Sequence, residues 1–154
     1  MRPPINAYIA SHSQDDGIDL RRQFENAPHN RVRCNSTWLD SEFKPTNSYS
    51  FERREHIATQ DVSEVTEADI FIMTTCNCKV SGGKFIELGV ALGQGKPVFV
   101  LDRICTHDSS HPQHRRENML MYHPGISYHH SMESLLEAVD TLDLEEFDEH
   151  GFYK

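Results

Sequence analysis

The sequence predicts an α/β fold in which about five parallel strands form one sheet with helices on both faces. Segments with the features of strands alternate with segments with the features of helices along the chain. Two strand segments, residues 68–73 and 97–101, are almost continuously apolar, which is typical of strands in the middle of a parallel sheet. The length of 154 residues suits one domain with a sizeable core.

Each predicted strand is a short apolar run between polar segments. The runs cover residues 5–10, 32–39, 68–73, 97–101 and 126–128. Trp38 lies near the end of the second run, and Pro97 is compatible with the fourth because proline is tolerated at the first residue of a strand. Since ligands of parallel sheets bind outside the carboxyl ends of the strands, we expect the functional residues near those ends.

The predicted helices lie between these strands, with apolar residues about one turn apart. They cover residues 18–26, 51–67, 82–95 and 131–142. In the second helix the predicted apolar side carries Ile57, Val62 and Val65. Ser131 precedes the last helix and is a favourable N-cap.

The composition describes a slightly polar globular protein, with 37% hydrophobic and 25% charged residues. A net charge of −9 argues against a nucleic-acid polymer as partner, because phosphate backbones are bound by clustered Lys and Arg. We divide the chain into one domain, residues 1–142, and an acidic C-terminal tail, residues 143–154. Without the apolar run of a signal peptide or the roughly 18 apolar residues of a membrane span, we expect a cytoplasmic protein that contacts no membrane.

Cysteine and histidine patterns give no metal site. Without a secretion signal we expect free thiols rather than disulfides at the four cysteines, Cys34, Cys76, Cys78 and Cys105. The most suggestive histidines, His107, His111 and His114, lie in a polar loop, whereas zinc ligands are normally fixed on defined elements. Solvated histidines are therefore the favoured interpretation.

Residues 81–101 (SGGKFIELGVALGQGKPVFVL) carry the most chemical information. Gly82 and Gly83 open a helix, where free backbone N–H groups and the helix dipole favour an anion. Glu87 lies about two turns inside this helix, and a carboxylate beside an anion site indicates chemistry on a phosphorylated or sugar-bearing small molecule. The spacing alone is equally compatible with an exposed helix stripe on which Lys84 pairs with Glu87.

Several segments together resemble the nucleoside 2-deoxyribosyltransferase-like superfamily, which includes the nucleoside 5′-monophosphate N-glycosidases. The resemblance covers roughly residues 5–140. Its anchors are YIAS at 8–11, STWL at 36–39, QD at 60–61, EADIFI at 67–72, SGGKFIELGVAL at 81–92 and REN at 116–118. It implies a Rossmann-like or flavodoxin-like domain.

The resemblance also implies catalytic roles. In the family a glutamate attacks C1′ of the sugar, expels the base and forms a glycosyl ester, and Glu87 matches its position. Asp61 matches a carboxylate that handles the leaving base or orients the nucleophile, and Tyr8 matches a tyrosine that hydrogen-bonds the nucleophile. No cofactor or metal is implied, because the carboxylate is itself the nucleophile. Family members are commonly homo-oligomers, so we expect a homodimer or a higher homo-oligomer.

Substrate contacts are expected around the same strand ends. Ser81 stands where transferases of free nucleosides usually have an aspartate, as in the members that cleave nucleoside monophosphates. A serine hydroxyl with the Gly82 and Gly83 amides would bind a phosphate that an aspartate would repel. The other candidates are Ser11, Ser13, Asn118 and Trp38, and Trp38 either stacks on a base or packs in the core.

We therefore expect a hydrolase that cleaves the N-glycosidic bond of a (2′-deoxy)nucleoside 5′-monophosphate through a covalent intermediate on Glu87 and releases the free base. One alternative is a nucleoside 2-deoxyribosyltransferase that exchanges bases on free deoxynucleosides. Another is a protein that binds and senses a nucleotide without turning it over.

Overall fold

The structure, a computed structural model, describes residues 2–11, 13–41, 46–75, 82–102 and 119–146. Strands and α-helices alternate in this part of the chain. The strands are β1 (Ile5–Ala10), β2 (Val32–Cys34), β3 (Ile70–Thr75), β4 (Val98–Asp102) and β5 (Ile126–His129). The α-helices are α1 (Gln14–Glu25), α2 (Phe51–Glu67), α3 (Gly82–Gly93) and α4 (Met132–Thr141).

The strands form one parallel sheet in the order β2-β1-β3-β4-β5. This is the flavodoxin-like order, so the predicted α/β class and the parallel sheet are confirmed. The chain leaves β1 towards β2 on one side and returns to β3 on the other side. The carboxyl ends of β1 and β3 therefore form the topological switch point, where ligands of such sheets bind.

Helices cover both faces of the sheet, as predicted. Alternating side chains of the strands enter two separate cores, since successive residues of a strand point to opposite faces. One core joins the sheet to α1 and α4 through Ile9, Leu20 and Leu135. The other joins it to α2 and α3 through Tyr8, Val65 and Leu88.

Capping residues and buried stripes explain the helix bounds. The predicted α2 is confirmed over Phe51–Glu67, and the side chain of Ser131 caps α4 by accepting from the backbone N–H of Ser134. α1 begins at Gln14 rather than at residue 18, because the Ser13 hydroxyl accepts from the N–H of Asp16 and caps an earlier turn.

Two local predictions are wrong. β2 ends at Cys34, and the 3₁₀ turn Thr37–Asp40 replaces the rest of the predicted strand, so Trp38 lies on a turn. In α2 only Val65 is fully buried, and Val62 is 51% exposed because the helix turns this side away from the sheet. A periodic apolar pattern identified the helix, and tertiary packing decided how wide its buried stripe is.

No helix of the described residues is long and apolar enough to cross a membrane. The thiol of Cys34 is free, and burial raises its pKa. The other three cysteines lie outside the described residues, as do the predicted acidic tail after Glu146 and the histidines at 107, 111 and 114.

Candidate active site

The candidate site lies beside the switch point, between β1, α2 and α3. β1 and β3 are hydrogen-bonded neighbours, with Ala10 opposite Met73 near their carboxyl ends. α3 follows β3 and packs on the sheet with Leu88 and Ala91, both fully buried. Glu87 directly precedes Leu88 in the helix, and this packing places Glu87 over the middle of β1.

The central contact joins Tyr8 of β1 to Glu87 of α3. The Tyr8 hydroxyl donates a hydrogen bond to Oε1 of Glu87 over 2.9 Å. Tyr8 is fully buried, and its ring stacks on Phe71 of β3 with 5.8 Å between the ring centroids and 7° between the planes. Because burial and this stacking fix the ring, the phenol holds one oxygen of Glu87 in a single position. The alternative that spacing left open, an exposed pair of Lys84 and Glu87, is wrong, since Lys84 is buried and Glu87 bonds Tyr8.

Glu87 has an unusual proton affinity for a carboxyl group. Burial raises the pKa of Glu87, and the charges of Asp61 and Glu64 raise it further, whereas the hydrogen bond from Tyr8 lowers it. The resulting pKa is about 7. Burial also raises the pKa of the Tyr8 phenol, with a further contribution from the charge of Glu87. Tyr8 therefore stays protonated and donates. Near neutral pH the carboxylate and the carboxylic acid of Glu87 are both populated.

Asp61 of α2 is the second carboxyl group of the site. It is half-buried, and burial together with the charge of Glu64 raises its pKa to about 6. Its charge contributes to the raised pKa of Glu87, which places the two carboxyl groups within electrostatic reach. A pair of carboxyl groups with raised pKa values is typical of acid–base and nucleophilic sites.

Sequence reasoning missed Glu64. This residue follows Asp61 by one turn of α2 and is 8% exposed. Its carboxylate accepts hydrogen bonds from the backbone N–H of Thr37, over 3.1 Å, and from the Thr37 hydroxyl. Glu64 thus ties the 3₁₀ turn that carries Trp38 to α2 and adds a third negative charge. Its position three residues after Asp61 could have indicated the shared helix face.

The candidate substrate residues of β1 and the following turn are occupied by contacts within the chain. The Ser11 hydroxyl donates to the carbonyl of Ser13 over 2.5 Å, and the Ser13 hydroxyl caps α1. The indole N–H of Trp38 donates to the carbonyl of Ile9 over 2.9 Å, and the ring packs against both cores. All three lie near the carboxyl end of β1, and their substrate contacts stay predictions.

At the start of α3, Gly82 is the first helical residue, as predicted. Gly83 is exposed, and a side chain there would meet no atom within 4 Å. Packing within the described residues therefore does not demand a glycine at 83. Ser81 and Asn118 lie outside the described residues.

Among the residues that the structure describes, no three His, Cys, Asp or Glu side chains are grouped so that they could hold a metal ion.

No protein-family model and no curated protein matches the sequence. Solved structures do match. A 2-deoxyribosyltransferase from Bacillus psychrosaccharolyticus superposes with a TM-score of 0.57 at 18% identity, over 90% of this chain and 92% of that one. The chain shares this fold. A conserved protein from Enterococcus faecalis V583 has a TM-score of 0.58 at 18% identity, over 87% and 96% of the two chains.

A third match is the CMP N-glycosidase BcmB from Clostridium botulinum, with a TM-score of 0.50 at 17% identity, over 86% of this chain and 98% of that chain. At these identities the similarity confirms the fold that the resemblance in the sequence motifs implied. The two enzymes are also of the two kinds that the motifs indicated, a transferase and an N-glycosidase.

Proposed function

We propose that this chain is an N-glycosidase that hydrolyses a (2′-deoxy)nucleoside 5′-monophosphate to the free base and the sugar 5-phosphate. The observation that carries the proposal is the 2.9 Å hydrogen bond from the buried Tyr8 hydroxyl to Glu87, beside the switch point of the sheet. The match to an N-glycosidase and a deoxyribosyltransferase supports chemistry at the anomeric carbon.

In the first step the free oxygen of Glu87 attacks C1′ of the sugar. The C1′–O bond to Glu87 forms while the C1′–N bond to the base breaks, and the electron pair of that bond stays on the base. Asp61 delivers a proton to the base nitrogen. Its raised pKa of about 6 keeps part of the population protonated near neutral pH, which suits a general acid.

In the second step a water molecule attacks C1′ and gives its proton to Asp61, which is now a carboxylate. The C1′–O bond to Glu87 breaks, and the carboxylate of Glu87 is restored. The Tyr8 hydroxyl stabilises that carboxylate before attack and after release, since it donates to the same oxygen in both states. These steps use only groups of the protein, the substrate and water.

The direct test is release of free base from a panel of nucleosides and nucleoside 5′-monophosphates, followed by chromatography. We expect release from a monophosphate and a loss of activity of at least about a thousand-fold in Glu87→Ala, because the nucleophile is gone. Glu133→Gln is the matched control, because Glu133 is an exposed glutamate of α4 on the other side of the sheet. Equal activity of Glu87→Ala and the wild type contradicts the proposal.

Base exchange on free deoxynucleosides is the second candidate, and the similarity to a 2-deoxyribosyltransferase favours it. The same glycosyl ester would then be attacked by a second base instead of water. Incubation of a deoxynucleoside with a different free base separates the two, because transfer gives a new nucleoside and hydrolysis gives free sugar. Nucleotide binding that Glu87→Ala leaves unchanged, with no turnover by the wild type, would instead identify a sensor.

We also propose that the chain is a homo-oligomer with its interface on α2 and α3. Two apolar side chains are exposed beside the catalytic candidates, Val62 next to Asp61 at 51% and Ile86 next to Glu87 at 71%. Light scattering after size exclusion is expected to give at least a dimer, and Ile86→Glu to shift it towards a monomer. A wild-type monomer at assay concentration contradicts this proposal.

A further inference from the structure

Lys84 occupies a position where the fold would suit an apolar residue. It lies in the first turn of α3 and shares the sheet-facing stripe of that helix with Leu88 and Ala91. Those two residues are fully buried, and Lys84 is only 5% exposed. Long charged side chains are almost never buried to this extent unless they are paired.

Within the described residues Lys84 has neither a hydrogen bond nor an ion pair. Its ammonium group lies 5.3 Å from the centre of the Phe85 ring. The opposite charge that acts on it is Asp16 of α1, whose carboxylate accepts a hydrogen bond of 2.5 Å from the Thr74 hydroxyl. Burial lowers the pKa of Lys84, and the charge of Asp16 raises it. Without a further anion, the ammonium group is buried with little compensation.

The position of Lys84 on its helix adds a second unfavourable effect. A cation in the first turn of a helix meets the positive end of the helix dipole, where an anion is favoured. The first turn of α1 lies close by, because Asp16 in that turn bonds Thr74 near the end of β3. The first turn of α1 carries two carboxylates of its own, Asp15 and Asp16, whereas the first turn of α3 carries no acidic residue. The N-terminus of α3 and the buried ammonium group of Lys84 would therefore both be stabilised by the same bound anion.

We propose that Lys84 binds the phosphate group of the substrate, and that its charge sets the preference for a 5′-monophosphate over a free nucleoside. The inference rests on the proposed function for the identity of the substrate, but the anion site can be tested without it. Gly83 lies next to Lys84 on the same turn, and a Cβ added to it would meet no atom within 4 Å. In the absence of phosphate Lys84 destabilises the fold, and bound phosphate removes that destabilisation.

The first test measures thermal stability against inorganic phosphate and 2-deoxyribose 5-phosphate, at constant ionic strength. We expect both to raise the melting temperature of the wild type, and Lys84→Met to weaken their binding roughly ten- to hundred-fold, the range for one charge-assisted hydrogen bond. Lys84→Met is also expected to melt higher than the wild type without phosphate, because an unpaired buried charge is replaced by an apolar side chain. If Lys84→Met does not fold, Lys84→Gln is read by the same criteria.

Lys96→Met is the matched control. Lys96 is a half-buried lysine just before β4, at the amino ends of the strands, where it donates to the carbonyls of Thr66 in the last turn of α2 and of Ala68 just after that helix. This variant is expected to lose stability and to keep the wild-type response to phosphate. Equal phosphate binding by wild type and Lys84→Met overturns the inference, and so does the absence of phosphate binding by the wild type.

The second test compares substrates. In Lys84→Met we expect kcat/KM for the monophosphate to fall roughly ten- to hundred-fold through KM, while kcat/KM for the corresponding nucleoside stays within about two-fold. A parallel loss on both substrates indicates a structural role and overturns the inference. If the wild type binds sugar phosphate but releases no base, the proposed function fails and the anion site stands.

Discussion

The hydrogen bond between Tyr8 and Glu87 can be tested through the pH dependence of activity. In Tyr8→Phe the phenol oxygen is removed, while the ring keeps its stacking on Phe71. The bond lowers the pKa of Glu87, which is about 7 in the intact site. A hydrogen bond to a charged group contributes roughly 1.5–3 kcal/mol, and about 1.4 kcal/mol equals one pKa unit, so the pKa should move to between about 8 and 9.

The expected result follows from the fraction of Glu87 that is ionised. At pH 7 this fraction falls from about one half to between about 1 and 10%, so kcat/KM should fall about five- to fifty-fold relative to the wild type. This deficit should close as the pH rises towards 9, because Glu87 is then largely ionised in both proteins and the loss of the Asp61 proton affects both alike. The assay is the pH profile of kcat/KM for base release. Tyr128→Phe is the control, because Tyr128 lies on β5, three strands away from β1, and its hydroxyl donates to the carbonyl of Met121. A deficit of Tyr8→Phe that stays constant between pH 7 and pH 9 refutes the reasoning.

Three further predictions concern charge and packing. Burial raises the pKa of Glu87 from 4.5 to about 7, so the folded chain binds an extra proton in this window and its free energy of unfolding falls as the pH rises through it. In urea at pH 8, Glu87→Gln should therefore have a free energy of unfolding up to about 3 kcal/mol higher than the wild type, and at pH 4 the two should be equal. Glu64→Gln removes a charge that raises the pKa of Asp61 and of Glu87, so both limbs of the pH profile of kcat/KM should move to lower pH. In Gly17→Ala the new Cβ would lie 2.6 Å from Leu39 Cδ2, and unfolding should require roughly 1–3 kcal/mol less. An unchanged urea midpoint contradicts this last expectation, and an unmoved acid limb contradicts the one before it.

The anion site connects stability with function. Lys84 occupies a core-facing position at the start of α3, where an apolar side chain would pack better. Residues that violate local rules without a compensating contact are expected at functional sites. The gain in stability expected for Lys84→Met, together with its loss of phosphate binding, would be the signature of such a site.

The sequence by itself determined the order and type of the elements, because apolar periodicity and capping residues are local signals. α2 and β1 have the predicted bounds, and the alternation of strands and helices was sufficient to predict the parallel sheet. The motifs also indicated Tyr8, Asp61 and Glu87 as candidates, and the structure brings these three residues together from β1, α2 and α3.

Only the tertiary structure decided which helix faces are buried and which residues cover them. Helical spacing shows that two residues share a face, but the neighbour that covers that face comes from a distant part of the chain. For this reason helical spacing alone left an exposed pair of Lys84 and Glu87 as an alternative. Packing against the sheet instead buries Lys84, and Glu87 accepts a hydrogen bond from Tyr8. The role of Glu64 was not predicted for the same reason, since its partner Thr37 lies 27 residues earlier in the chain, before α2.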